Sequence, residues 1–301
     1  MLEEGGLGLA MAVERRVRID LSASEELSIK GVWPGGALSW TPGQPSSNPL
    51  IAAIAAEVEN WLREKRGGKG VQGASIRVDS SALFSPDGRK SGLGSSAAVT
   101  VGLVCALLDA AGCRPIPDDP EILALAIRAH RRSQGGAGSG YDVSCSFHGR
   151  MGVFHGGILP RWEPCRLWED PVVCLFPGPS PVSTSEAIRL YALWKKSNPD
   201  DARRFLEDSN RNVQGFVHAR AAVEAQQHLR ACRELGVSLG RAIGVSAEIA
   251  PPLRMDSAWC KALGAGNELG ACLLQAGSAA LLPGSEVPAV DAAQEGVLWE
   301  E

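Results

Sequence analysis

The sequence predicts an α+β protein built as two lobes. Three observations carry that reading: period-two apolar alternation near the start, one almost wholly apolar stretch of helical length at Ala97–Ala111, and a shift from a strand-rich half before residue 168 to a helix-rich half after it. The shift places the expected division between residues 1–167 and 168–301. At 301 residues the chain exceeds one typical domain of about 100 to 200, so each half is long enough for a core of its own.

The elements follow in order. Leu7, Leu9, Met11, Val13, Val17, Ile19 and Leu21 are apolar, with mostly small or charged residues between them, which predicts a strand or hairpin. That pattern is under way almost at Met1, so the chain is expected to begin mid-fold. Asn48-Pro49 supplies an N-cap and a first-turn proline, and Gly67-Gly68 a stop, for a helix carrying Leu50, Ile51, Ile54, Val58, Trp61 and Leu62. Ala74, Ile76 and Val78 alternate with polar residues as a half-buried strand running into the loop Ser85-Pro86-Asp87-Gly88. Ala97–Ala111 then reads as a buried helix ending at Gly112, and Asp119-Pro120 opens another with Ile122, Leu125, Ala126 and Ala129 on one face. Val172–Phe176 is a short strand closed by Pro177-Gly178-Pro179. Ser183 and Glu186 form a capping box, Asn198-Pro199 restarts a helical region to about Leu235, and Ala271–Leu274 and Ala279–Leu282 read as strands. The tail from Glu286 carries no pattern that assigns an element.

Composition narrows the function. Thirty Lys+Arg against 34 Asp+Glu give a net charge of −4, which argues against a nucleic-acid or anionic-membrane partner. No apolar run spans about 30 Å of hydrocarbon. Eight cysteines are scattered with no C-x-x-C pair, as buried thiols in a reducing compartment, and Met1–Ala10 lacks a secretory pattern, so a cytoplasmic location is expected. His148 and His155 have no metal-ligand spacing and read as packing or surface residues. Trp33, Trp40, Trp162 and Trp168 fall in loop-like contexts that leave room for a contact surface, consistent with a homodimer.

Three glycine-rich segments carry the chemistry. The first, Lys90-Ser91-Gly92-Leu93-Gly94-Ser95-Ser96-Ala97-Ala98, stands before the apolar helix, where curled backbone and a helix N-terminus together attract an anion. Ser95 and Ser96 offer hydroxyls to a phosphate oxygen or Mg2+, and Lys90 offers a charge; the plainer alternative is a serine-capped helix. The G-x-G-x-x-A spacing of Gly92, Gly94 and Ala97 lacks the strand that a dinucleotide fingerprint requires directly before it. The second segment, Gln134 to Asp142, ends in a carboxylate able to accept a hydroxyl proton or orient a reactant, or simply to cap a helix. The third, Lys261 to Gly270, is a close-approach loop before a strand.

These loops, in this order, resemble the GHMP kinases over most of the chain. Within that superfamily K-S-G-L-G-S-S-A-A-V-T-V at Lys90–Val101 and A-H-R-R-S-Q-G-G-A-G-S-G-Y-D-V at Ala129–Val143 look most like phosphomevalonate kinases. The resemblance implies an N-terminal α+β lobe, a C-terminal ferredoxin-like α/β lobe, and ATP with Mg2+ where the lobes meet. It implies that Gly92, Leu93, Gly94, Ser95, Ser96 and Ala97 wrap the triphosphate and that Ser96 holds the metal. Asp142 and Lys90 are implied as catalytic, Ser139 and Gly140 as acceptor-binding, and Gly264, Ala265 and Gly266 as shaping the phosphate side. The implied reaction carries the γ-phosphoryl group of ATP to 5-phosphomevalonate, a small-molecule acceptor.

The sequence departs from the family pattern in three places. The A-P-G-K strand has no counterpart here, Gly136 stands where close relatives read Q-G-K, and Asn267-Glu268 interrupts the usual G-A-G-G-G-D. All three changes remove positive or add negative charge. They keep open a second reading, a non-catalytic relative that binds a ligand or a subunit. Arg89, Arg131, Arg132 and Lys261 are either compensating cations or solvated surface charges.

Overall fold

The computed structural model describes residues 1–43, 48–67, 70–71, 73–85, 88, 90–158, 160–168, 171–179, 184–251, 255–264, 266–274 and 289–300. Contacts divide the chain into two units, one of Ala10–Arg150 with Ala292–Glu301, the other of Met1–Leu9 with Met151–Asp291. The sequence placed a single division at 167/168. Contacts instead send each end of the chain to the unit that holds most of the opposite half, because long-range strand pairing and tail contacts leave no local composition change to read.

In the first unit, β2 (Arg18–Ala23) pairs antiparallel with β5 (Ala74–Asp79), β5 runs parallel to β3 (Ser28–Trp33), and β3 forms a hairpin with β4 (Gly36–Trp40). Ala74, Ile76 and Val78 of β5 are buried, as their alternation predicts. The helices α1 (Pro49–Arg66), α2 (Ser95–Ala110), α3 (Pro120–Ser133) and α4 (Tyr141–His148) share one core with this sheet. Asn48 Oδ1 accepts from the Leu50 amide at 3.0 Å, and Gly67 turns left-handed at φ 61°, so α1 has the start and stop that its sequence encodes. Leu103, Val104, Leu107 and Leu108 of α2 are 0% exposed, and each such side chain contributes roughly 1.5–3 kcal/mol by burial. An all-round apolar helix therefore sits in the centre, and its N-terminus is held in place by that packing.

The sequence missed β3 and β4. Glycines obscure their alternation, yet those glycines are what the hairpin needs: a Cβ on Gly31 would stand 3.2 Å from Leu38 and one on Gly36 2.5 Å from the Trp33 ring. Trp33, Trp40 and Trp162 accordingly lie in strands, not loops, and all four named tryptophans are half-buried. The exposed contact surface inferred from them loses its basis.

The end of the unassigned tail, from Ala292, also belongs to the first unit. The Ala293 amide donates to Ala12 O at 2.8 Å and its carbonyl accepts from the Arg150 amide at 2.7 Å. The Arg114 guanidinium lies 5.0 Å from the centre of the Trp299 ring.

The second unit takes in the start of β1 (Leu7–Met11), as far as Leu9, with β6 (Met151–His155) and β7 (Arg161–Pro164), in a three-stranded sheet of order β1-β6-β7. The other sheet has the order β11 (Ala289–Val290), β8 (Val172–Pro177), β10 (Leu269–Leu274), β9 (Cys260–Leu263), each neighbouring pair antiparallel. Its first and second strands in the chain are joined through α5 (Thr184–Ser197), α6 (Pro199–His218) and α7 (Ala222–Ile243), which gives the spatial order 4-1-3-2 of the ferredoxin-like split βαβ arrangement. Ser183 of the expected capping box and the expected strand Ala279–Leu282 lie outside the described residues. Glu186 pairs with Arg189 at 2.6 Å.

All eight cysteines are free. Among the described residues no helix is long and apolar enough to cross a membrane, and no cluster of three or more His, Cys, Asp or Glu is placed to hold a metal. His148 bonds Asp118 at 2.6 Å and His155 bonds Glu163 at 3.1 Å.

Candidate active site

The first glycine loop enters α2 through two left-handed residues, Gly92 at φ 72° and Gly94 at φ 74°. This conformation costs a side-chain-bearing residue about 1–2 kcal/mol, which explains glycine at both places. Behind the loop, the Ser91 amide donates to Leu83 O at 3.1 Å, and the Ala97 and Ala98 amides both donate to Gly94 O at 3.0 and 3.1 Å. Between them, the amides of Gly92, Leu93, Gly94, Ser95 and Ser96 donate to no acceptor among the described residues. These five N–H groups stand at the head of a buried 16-residue helix, where backbone donors and helix dipole both favour an anion. Ala97 is a correction to the expected cradle, because its amide is spent inside the turn.

The second segment comes beside the first. α3 ends at Gly135 and Gly136, both left-handed, with the Gly136 amide returning to Arg131 O at 2.8 Å. From α3, the Arg131 guanidinium reaches forward and donates through Nε to Gly138 O at 2.6 Å and through its terminal nitrogen to Ser139 O at 3.0 Å. Arg131 is therefore neither a free surface charge nor a cation aimed at a ligand; it clamps the loop. Arg132 is likewise engaged, with Glu57 at 2.9 Å. A Cβ on Gly140 would meet Ile127 at 2.9 Å, so the loop seats directly on α3 before α4 begins. Ser139 Oγ accepts from the Tyr141 amide at 3.3 Å.

Asp142 sits in the first turn of α4, half-buried, with Oδ1 accepting from the Val143 amide at 3.1 Å. A Cβ on Gly94 would lie 3.9 Å from Asp142 Cβ, so the first turn of α4 lies next to the first glycine loop. The two nearest titratable neighbours are chemically silent: burial drives the Tyr141 hydroxyl well above its ordinary value, and burial, then the charge of Asp142, push the Cys145 thiol up to about 12.

Lys90 is exposed, and its backbone bridges to Phe84 at the mouth of the first loop. Arg89 lies outside the described residues.

One residue at this site was not singled out by its sequence. His130, 3% exposed in the last turn of α3, places Nε2 3.1 Å from Ser96 Oγ. The signal was its position, one turn ahead of the glycine pair and on the buried face of an amphipathic helix, but that spacing equally describes a core residue.

The third loop, in the other unit, joins β9 to β10 and is a different object. Its Asn267, 3% exposed, donates through Nδ2 to Ser246 Oγ at 3.1 Å and Glu248 O at 3.0 Å. The Gly178 amide donates to Glu268 O at 2.8 Å, and a Cβ on Gly178 would stand 1.5 Å from Asn267 O. Glu268 points to solvent, Gly264 is left-handed at φ 69°, and Ala265 lies outside the described residues. Lys261 is committed locally, its ammonium donating to Ala262 O at 2.7 Å and held below its usual pKa by burial.

Residues 45–150 match the model of the GHMP kinases N-terminal domain. A phosphomevalonate kinase of Saccharolobus solfataricus is 30% identical over 250 residues, 80% of this chain and 73% of the relative. The chain belongs to the GHMP kinases. It is a phosphotransferase of that superfamily, most like the phosphomevalonate kinases. Solved structures agree on the fold. A protein from Listeria innocua superposes with a TM-score of 0.80 at 18% identity, covering 97% of this chain and 93% of its own. The phosphomevalonate kinase of Streptococcus pneumoniae, in complex with phosphomevalonate and AMPPNP, superposes with a TM-score of 0.75 at 17% identity, covering 93% and 89%. The two-lobed α+β architecture read from the sequence is that of this GHMP kinase.

Proposed function

We propose that this GHMP kinase transfers the γ-phosphoryl group of ATP to the phosphate of 5-phosphomevalonate, giving ADP and the diphosphate. The observation that carries the reading is the row of five unspent amides at the head of α2 with Asp142 beside Gly94. On this reading Gly92, Leu93, Gly94, Ser95 and Ser96 bind the triphosphate through their N–H groups, with Ala97 contributing shape alone. Ser96 Oγ is the hydroxyl suited to Mg2+, an ion that takes oxygen ligands and neutralises phosphate charge. Asp142 orients the acceptor, which needs little base strength because a phosphate is already ionised at neutral pH. Ser139 and Gly140 border the acceptor, and Lys90 meets the reacting phosphates from the loop mouth. The eight free thiols support a reducing, cytoplasmic setting, and the charge of −4 supports a small-molecule partner over nucleic acid.

Similarity to the phosphomevalonate kinase of Saccharolobus solfataricus supports the acceptor, as does the phosphomevalonate in the Streptococcus complex. The test is ADP release from Mg-ATP with phosphomevalonate, mevalonate, and a panel of sugars and amino alcohols. Turnover with phosphomevalonate above all others is expected. Turnover only with another acceptor would replace the substrate, and nucleotide binding with no turnover on any acceptor would favour the non-catalytic reading.

A further inference from the structure

We infer that His130 is a positioning residue that fixes the rotor of Ser96 so that its hydroxyl oxygen faces a cation; the inference rests on the phosphoryl-transfer reading above. A serine hydroxyl beside a phosphate site has two uses, donating its proton to a phosphate oxygen or offering its lone pairs to a metal. What holds its proton decides between them.

Here the proton has a partner. His130 Nε2 is 3.1 Å from Ser96 Oγ, and the Gln134 side-chain nitrogen, a donor, approaches the same ring nitrogen at 3.5 Å. With the Gln134 amide nitrogen approaching the same ring nitrogen, the geometry points to Nε2 as the acceptor of the Ser96 proton. The Ser96 O–H then points into the protein at the ring, and the oxygen's lone pairs are left for the open loop. The serine is further constrained through its backbone, since Thr100 Oγ1 donates to Ser96 O at 2.8 Å.

Burial makes this placement informative. His130 is 3% exposed among the apolar residues of α3 and α2, where an aliphatic side chain would bury more favourably than an imidazole. Its Nε2 contacts connect it to the anion site and to Gln134, whose Oε1 would stand 2.8 Å from a Cβ on Gly138. One ring thus touches residues of both glycine segments. Such outer-shell partners fix the orientation of a metal ligand, and their removal typically costs about 10- to 100-fold in metal affinity or activity.

The test is calorimetric binding of ATP with and without Mg2+ to the wild-type chain, His130→Leu, His130→Gln, Ser96→Ala and the His130→Leu/Ser96→Ala double variant. The readout is the magnesium increment, the ratio of ATP affinity with the ion to that without. His130→Leu is expected to lose about tenfold or more of that increment. Its Mg-free ATP binding should be unchanged, which also shows that the loop is folded. His130→Gln, which keeps an acceptor, should restore the increment to within about threefold of wild type. The double variant should be no worse than Ser96→Ala, because both substitutions remove one function. A wild-type increment in His130→Leu would overturn the inference, as would a Gln variant no better than Leu, or losses that add in the double variant. Failure of the wild-type chain to bind ATP under either condition would instead overturn the underlying nucleotide reading, and the inference with it.

Discussion

Two glycine loops of similar composition are held in different ways. At residues 92–96 five amides donate to no acceptor among the described residues, and the loop is shaped by left-handed glycines and by the packing of α2 beneath it. At residues 264–268 the turn is locked from within: Asn267 is spent on Ser246 and Glu248, and Gly178 packs against the Asn267 and Glu268 backbone. Glycine content marks both as places of close approach, but the second spends a buried side-chain amide and a backbone carbonyl on internal partners. The distinction lies in where the hydrogen bonds go, and it is what the following changes should expose.

The largest effect is expected at Gly94. Gly94→Val forces a β-branched residue to φ 74° and thrusts it toward Asp142. A loss of about a hundredfold or more in kcat/KM follows, with Mg-ATP binding abolished in calorimetry. Asp142→Asn keeps the shape and removes the charge, so kcat should fall by about a hundredfold while the melting temperature stays within a degree or so. Asn267→Ala should do the reverse. Stripping a buried amide of two bonds should lower stability by about 1–3 kcal/mol in urea unfolding, with Mg-ATP affinity changed less than about threefold. If Asn267→Ala weakened nucleotide binding as strongly as Gly94→Val, the contrast between the loops would be lost.

Arg131→Met should release the second loop from the carbonyls of Gly138 and Ser139. An increase of about tenfold in acceptor KM is expected, with ATP affinity nearly constant, since the clamp holds the segment leading to Asp142 and not the cradle. The smallest effect concerns Cys145. Its folded pKa is raised to about 12 from an ordinary 9.0, so the neutral thiol contributes stability that is complete below pH 9 and is lost as pH climbs from 9 toward 12. Cys145→Ala should flatten this loss in melting curves above pH 9. At pH 8 the wild-type thiol should resist alkylation in the folded state and react once the chain is unfolded.

Much of this was legible in the sequence, for identifiable reasons. Helices with an N-cap, a first-turn proline and a glycine stop, such as α1 and α3, encode their own ends, and the first glycine loop stood out because its residues are contiguous. Side chains brought together across the chain were not. The meeting of Ser96 with His130, 34 residues apart, depends on how α2 packs against α3, and nothing local distinguishes that histidine from a core residue. Arg131 looked like a solvated charge because its acceptors are backbone carbonyls, which no pattern of residue types reveals. The tail after Asp291 had no periodicity because it is held by non-local backbone bonds to Ala12 and Arg150. Strands β3 and β4 were hidden by the same glycines that let their hairpin close.

The most direct measurement is backbone amide spectroscopy of 15N-labelled protein during titration with Mg-ATP. The account predicts that the amides of Gly92, Leu93, Gly94, Ser95 and Ser96 shift strongly and gain protection from hydrogen exchange as nucleotide saturates, while Ala97, already bonded to Gly94, changes least across the junction. Saturable ATP binding that left those five amides unmoved would contradict it.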